Sequence, residues 1–180
     1  MTCPLQIEVL IDTTVPASVN DDALARAARK AAQSRQFDQG QIGIRVTDDP
    51  TIHEVNRQHL QHDYPTDVIS FAYHAKPPSI EGELIISFDT ACRRAAELDW
   101  DVANELLLYV VHGVLHLTGM DDGQSEPRQQ MRRAEAAIMG ELGVTEIERF
   151  GADVERSFDP SADKPADAQA SQNTVTEQKS

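Results

Sequence analysis

At 180 residues the chain has room for one domain with a real core and not for two comfortable ones. Hydrophobic (40%) and charged (26%) fractions are ordinary for a globular protein, but the formal net charge of -14 is not, and residues 1–150 alone carry 24 acids against 13 bases. Such a field opposes non-specific attraction to nucleic-acid phosphates and to anionic membranes, so any RNA chemistry needs a local basic patch or a metal ion.

The two cysteines, Cys3 and Cys92, lack C-x-x-C spacing, which excludes a disulfide framework and a cysteine zinc knuckle and suits a reducing cytoplasm. The opening Met1-Thr-Cys-Pro-Leu-Gln6 has no basic region followed by an apolar core, and no stretch approaches the roughly 18 apolar residues of a membrane span. The expectation is a soluble, unexported protein with no membrane partner: a single domain over 1–150, followed by an acidic and polar tail, 151–180, largely disordered.

Gln6 to Asp12 alternates and is rich in Ile, Val and Leu, as a strand should be. Ser18 to Asp22 supplies capping groups and first-turn acids for an Ala-rich amphipathic helix from Ala23. A second strand over Gln41 to Thr47 sets Ile42, Ile44 and Val46 on one face; Asp48-Asp49-Pro50 then opens a helix through about Leu60, with Ile52, Val55 and Leu60 to pack. Pro65 ends the helical option, Val68, Ile69 and Phe71 begin a third strand, and a loop containing Lys76-Pro-Pro-Ser79 leads to a fourth at Gly82 to Phe88.

Asp89 begins a short helix to about Leu98. Asp101 to Glu105 starts the most apolar helix, Leu106 to Leu117, apolar nearly all round and therefore expected at the centre of the fold, with Gly119 as its stop. A last helix runs from Ser125 or Glu126 to Leu142, with Met131, Ala134 and Ile138 at helical spacing.

The central helix carries the chemistry. His112 and His116, four residues apart, lie about 40° apart around a helix axis and one turn apart along it, so both can face one ion. Two polar rings in so apolar a helix need partners, and hydrogen-bonded core histidines are the plain alternative to a metal. Asp121 and Asp122 follow the helix end, where a third ligand can turn back. Gly113, costly by roughly 1 kcal/mol in a helix interior, implies close approach by something. It also stands where a zinc protease of the His-Glu-x-x-His type has its general base, which argues against that mechanism.

His112-Gly-Val-Leu-His-Leu-Thr-Gly-Met-Asp-Asp122 closely resembles the signature of the YbeY family of endoribonucleases, His-Gly-x-Leu-His-Leu-x-Gly-x-Asp-His. Asp63-Tyr-Pro-Thr-Asp-Val-Ile-Ser-Phe71 is similar to the family's Asp-x-Pro-Thr-Asp-Val-Leu-Ser-Phe, and Gly82-Glu-Leu-Ile-Ile-Ser87 to its Gly-Asp-Ile-x-Ile-Ser. The resemblance spans about residues 5 to 145. It implies an α+β fold with one mixed, mostly four-stranded sheet and about five helices, the central buried one carrying the histidines.

It also implies one Zn2+ per chain held by His112, His116 and Asp122. The activity implied is cleavage of single-stranded RNA in 3′-end maturation of small-subunit (16S) rRNA and in ribosome quality control. The implied partners are rRNA and the small subunit or its assembly factors, with no DNA.

Two positions depart from the pattern. Asp122 stands where the third ligand is usually histidine; carboxylate oxygen is an acceptable zinc donor, though an anionic ligand makes a bound water less acidic. Leu60 stands where the family usually has an arginine. Arg57, His59 or His62 are the nearest replacements, and Arg128, Arg132 and Arg133 on the last helix are candidates to steer RNA or simply to pair with acids such as Glu135. Thr66 and Ser70 could touch substrate, although turn capping is the ordinary use of such residues. Asp121 is a candidate for holding a histidine or relaying a proton. The rival readings are a metal-dependent hydrolase of a non-RNA substrate and a non-catalytic assembly factor in which zinc staples a loop.

Overall fold

The computed structural model describes residues 3–59 and 66–144. Leu60, His62, the 63–65 part of the Asp63–Phe71 motif and the expected tail at 151–180 lie outside them. The described chain runs β1 (Gln6–Ile11), α1 (Asp21–Ser34), β2 (Gln39–Thr47), α2 (Asp49–His59), β3 (Val68–Lys76), β4 (Ser79–Ser87), α3 (Phe88–Leu98), α4 (Val102–Leu117) and α5 (Ser125–Glu141). This is the α+β architecture with one mixed sheet and five helices.

The strand order is β1-β2-β4-β3; β1 and β4 both run parallel to β2, and β3 returns antiparallel beside β4. The register sets Val9 beside Ile44 and Ile44 beside Leu84. Because side chains alternate along a strand, this lines Ile42, Ile44, Val46, Ile80, Leu84 and Ile86 along one face, all buried. Small residues let α1 lie close on that core: Ala27, Ala28, Ala31 and Ala32 have no exposed surface. Asn20 caps α1 by accepting from Ala23 N–H at 2.9 Å.

Helix α4 is the hub, touching α1, α3, α5, β3 and β4. Its Leu106, Val110, Val111, Val114, Leu115 and Leu117 are buried, which accounts for a sequence apolar on every side. Asp101 caps its start by accepting from Ala103 N–H at 2.8 Å. The helix can approach the sheet only because Gly113 has no side chain: a Cβ there would stand 2.8 Å from a Leu84 methyl and 3.2 Å from Val68. The close approach inferred from the sequence is thus made by the sheet.

One expectation changes. The segment read as a loop around Lys76-Pro-Pro-Ser79 is a hairpin, with β3 extended to Lys76, β4 starting at Ser79 and only Pro77-Pro78 between them. Residues 72–76 are exposed, so they have no buried face to impose an alternating pattern, and a bulge at Tyr73 breaks the period further.

Asp49, in the first turn of α2, binds α3 by accepting from Ser87 Oγ, from Thr90 Oγ1 at 3.0 Å and from Arg93 Nη1 at 2.6 Å. No helix of the described residues is long and apolar enough to cross a membrane.

Candidate metal centre

The last two turns of α4 and the loop after them bring His112, His116 and Asp122 together, each half-buried, with one ligand atom apiece all within 4.8 Å of one another. The helix ends by a specific device. Gly119 adopts φ +91°, its N–H donates to His116 O (2.9 Å) and Met120 N–H to Leu115 O (3.1 Å), the paired bonds of a Schellman stop. The same turn leaves the Met120 carbonyl facing back, where it accepts from His116 Nδ1 at 3.1 Å.

His112 is oriented from another element. Its Nδ1 lies 2.6 Å from Oε1 of Glu135 on α5. A carbonyl and a carboxylate are acceptors only, so each ring carries its proton on Nδ1 and turns a bare Nε2 lone pair into the site. The two Nε2 atoms are 3.0 Å apart, with the rings nearly perpendicular. Two lone pairs at that distance repel unless a proton or a metal cation lies between them.

Asp122 completes the set, its carboxylate oxygens 3.8 Å from His112 Nε2 and 3.6 Å from His116 Nε2. Ligands about 2.0–2.1 Å from a tetrahedral ion stand about 3.3 Å from one another. The observed separations bracket that value, so this donor set fits a small divalent cation.

Charge acts on the two rings in opposite directions. Burial disfavours protonation of His112, but Glu135 outweighs it and raises the ring above its ordinary value. Burial and the neighbouring His112 hold His116 below its own. The Glu135–His112 pair is the carboxylate–histidine arrangement that orients imidazole ligands in metal sites.

Asp121 serves its own loop, its Oδ1 accepting from the N–H groups of Asp122 (2.8 Å) and Gly123 (3.0 Å). Arg128 Nε donates to the Asp122 carbonyl at 2.9 Å. Arg132 and the exposed Arg133 lie farther along α5. Arg57 is engaged by Glu54 on α2, with Nη2 2.7 Å from Oε2, and His59 packs edge-on to Phe71. Ser70 Oγ donates to Gly113 O at 3.3 Å, which places β3 beside the histidine helix; Thr66 Oγ1 donates to Asp67 at 3.0 Å.

The sequence offers Glu135 as an ion-pair partner for arginines, whereas the structure makes it the partner of His112. Its position among Met131, Ala134 and Ile138, an acid on the apolar stripe of an amphipathic helix, was the available signal.

Comparison with known proteins bears on the family and the fold. The family model described as "Endoribonuclease YbeY" matches residues 9–143. An endoribonuclease YbeY of Rhodopirellula baltica is 54% identical over 123 residues, which are 67% of this chain and 63%, less than two thirds, of that protein. One from Chloroherpeton thalassium is 33% identical over 136 residues, covering 76% of this chain and 96% of its own. The solution structure of a Thermotoga maritima protein shares the fold, with a TM-score of 0.54 at 22% identity, over 79% of this chain and 95% of the other.

Proposed function

The chain belongs to the YbeY endoribonuclease family, and on that premise we propose that it is a zinc-dependent endoribonuclease of single-stranded RNA, acting in 3′-end maturation of 16S rRNA and in ribosome quality control. The observation that carries the reading is the convergence of the two Nε2 atoms and the Asp122 carboxylate in a half-exposed site. His112, His116 and Asp122 hold the ion, and a nitrogen-rich set with one carboxylate favours zinc over the all-oxygen preference of magnesium or calcium. Three protein ligands leave a coordination position for water or substrate. When bound, the ion supplies a Lewis acid for a phosphoryl oxygen and lowers the pKa of a coordinated water.

The chain's own residues do the rest. Glu135 and the Met120 carbonyl keep both imidazoles oriented, and Asp121 shapes the loop that presents Asp122. Ser70 and Gly113 hold β3 against the histidine helix, forming one wall for a strand of RNA. Arg57 would reach phosphate by giving up the bonds that engage it, those to Glu54 among them. The cytoplasm and the small ribosomal subunit or its assembly factors are the setting this reading implies.

The test is incubation of zinc-loaded protein with single-stranded RNA, duplex RNA and an unstructured protein, with His116→Ala as control. Cleavage is expected for the single strand alone, falling by at least about a hundredfold in the variant. Cleavage that persists in His116→Ala would assign the activity to a contaminant. Cleavage of the unstructured protein instead would favour a different hydrolase, a reading consistent with the acidic surface. A 2′,3′-cyclic phosphate product would show attack by the ribose hydroxyl rather than by water alone.

A further inference from the structure

Asp122 is the ligand with the least support from regular structure: the histidines ride on a core helix, whereas the carboxylate stands on a loop and is 42% exposed. Its peptide groups are nevertheless tied on both sides. Before it, the Asp121 carboxylate accepts from the N–H groups of Asp122 and Gly123. After it, the Asp122 carbonyl accepts from Arg128 Nε, a residue of the first turn of α5. That turn is joined to the loop by Arg128 N–H donating to Gln124 O at 3.0 Å and has no side-chain cap on its N-cap residue, Gln124.

From these bonds we infer that Arg128 is a positioning residue for metal binding: it latches the ligand loop to α5 and fixes where the Asp122 carboxylate stands before an ion arrives. The latch reaches the ligand through the main chain and leaves both Asp122 oxygens for the ion. With α5 supplying Glu135 to His112 and Arg128 to Asp122, one helix orients two of the three ligands.

The inference rests on the metal-binding half of the proposed function, and its test reads metal affinity rather than RNA cleavage. Zinc affinity is measured by competition with a chromophoric chelator for the unaltered full chain, Arg128→Ala, Arg128→Gln and His116→Ala, with a thermal melt of each metal-free protein. Arg128→Ala is expected to bind zinc about tenfold more weakly, at the low end for residues that orient ligands, with its metal-free melt unchanged. Arg128→Gln, which can still donate to the carbonyl but carries no charge, should recover part of the loss. The inference is overturned if Arg128→Ala binds within twofold of the unaltered chain, or if its metal-free melting temperature falls with the affinity, the mark of a general structural role. Failure of the unaltered chain to bind zinc more tightly than His116→Ala would defeat the metal-site reading itself.

Discussion

At the scale of single residues, the site is governed by which nitrogen each imidazole turns inward. A neutral imidazole has one donor and one acceptor, and the protein settles the choice by placing an acceptor at each Nδ1. The two acceptors differ in kind. The Met120 carbonyl belongs to the backbone and survives any substitution of its side chain, whereas Glu135 can be changed alone. Glu135→Gln should weaken zinc binding by about ten- to a hundredfold, because the amide can offer its nitrogen to His112 and permit the wrong tautomer. Chelator competition on the variant checks this, and an unchanged affinity would mean that the Glu135 bond does not orient the ligand. The grouping of His112, His116 and Asp122, which the family resemblance implies as a ligand set, appears in the structure, and the three fall within eleven residues, on a helix turn and the loop after it. Glu135 and Arg128 were not readable in their roles, because their meeting with the loop depends on how α5 packs.

Between elements, the clearest link outside the core is Asp49, through which α2 holds α3. Burial acts to raise the pKa of this carboxyl, but its bonds to Ser87, Arg93 and Thr90 prevail and hold it below the ordinary aspartate value. A group whose folded pKa is depressed contributes stability above its unfolded pKa, near 3.8, and loses that contribution as pH falls through the folded value. Asp49→Asn should therefore cost about 1.5–3 kcal/mol at pH 7, the range for hydrogen bonds to a charged group, and progressively less below pH 3.8. Urea unfolding of both proteins at pH 7 and pH 3 measures the difference, and a cost equal at the two values would remove the charge from the explanation. The sequence foretold the helix start that puts Asp49 in the first turn, and it foretold Ile42, Ile44 and Val46 as an inward face. It did not foretell the outer half of β3, whose residues 72–76 are exposed and so leave no hydrophobic period to read, nor that β4 begins at Ser79, although Ile80 lies on the buried face.

For the molecule as a whole, the candidate ligands stand on elements that the protein's own packing and hydrogen bonds hold. Leu106, Val110, Val114 and Leu115 anchor α4 from within, and the Asp121 and Arg128 hydrogen bonds tie the loop carrying Asp122. Chelation should accordingly leave the far-ultraviolet circular dichroism unchanged and lower the melting temperature by no more than about 10 °C, as expected from losing a ligand bound at moderate excess over its dissociation constant. Loss of helical signal on chelation would instead favour a zinc staple over a catalytic ion. The charge of -14 sharpens the functional question: on the proposed function RNA would approach a repelling surface and would need local attraction from the ion or from nearby arginines.

The turn at Gly119 joins two properties that are usually independent. One left-handed residue decides where α4 stops, and through the direction it gives the Met120 carbonyl it decides which edge of His116 is free to bind. Helix length and ligand chemistry therefore share a single backbone degree of freedom. A change that lengthened α4 by one residue would rotate the imidazole out of use even with every ligand still present.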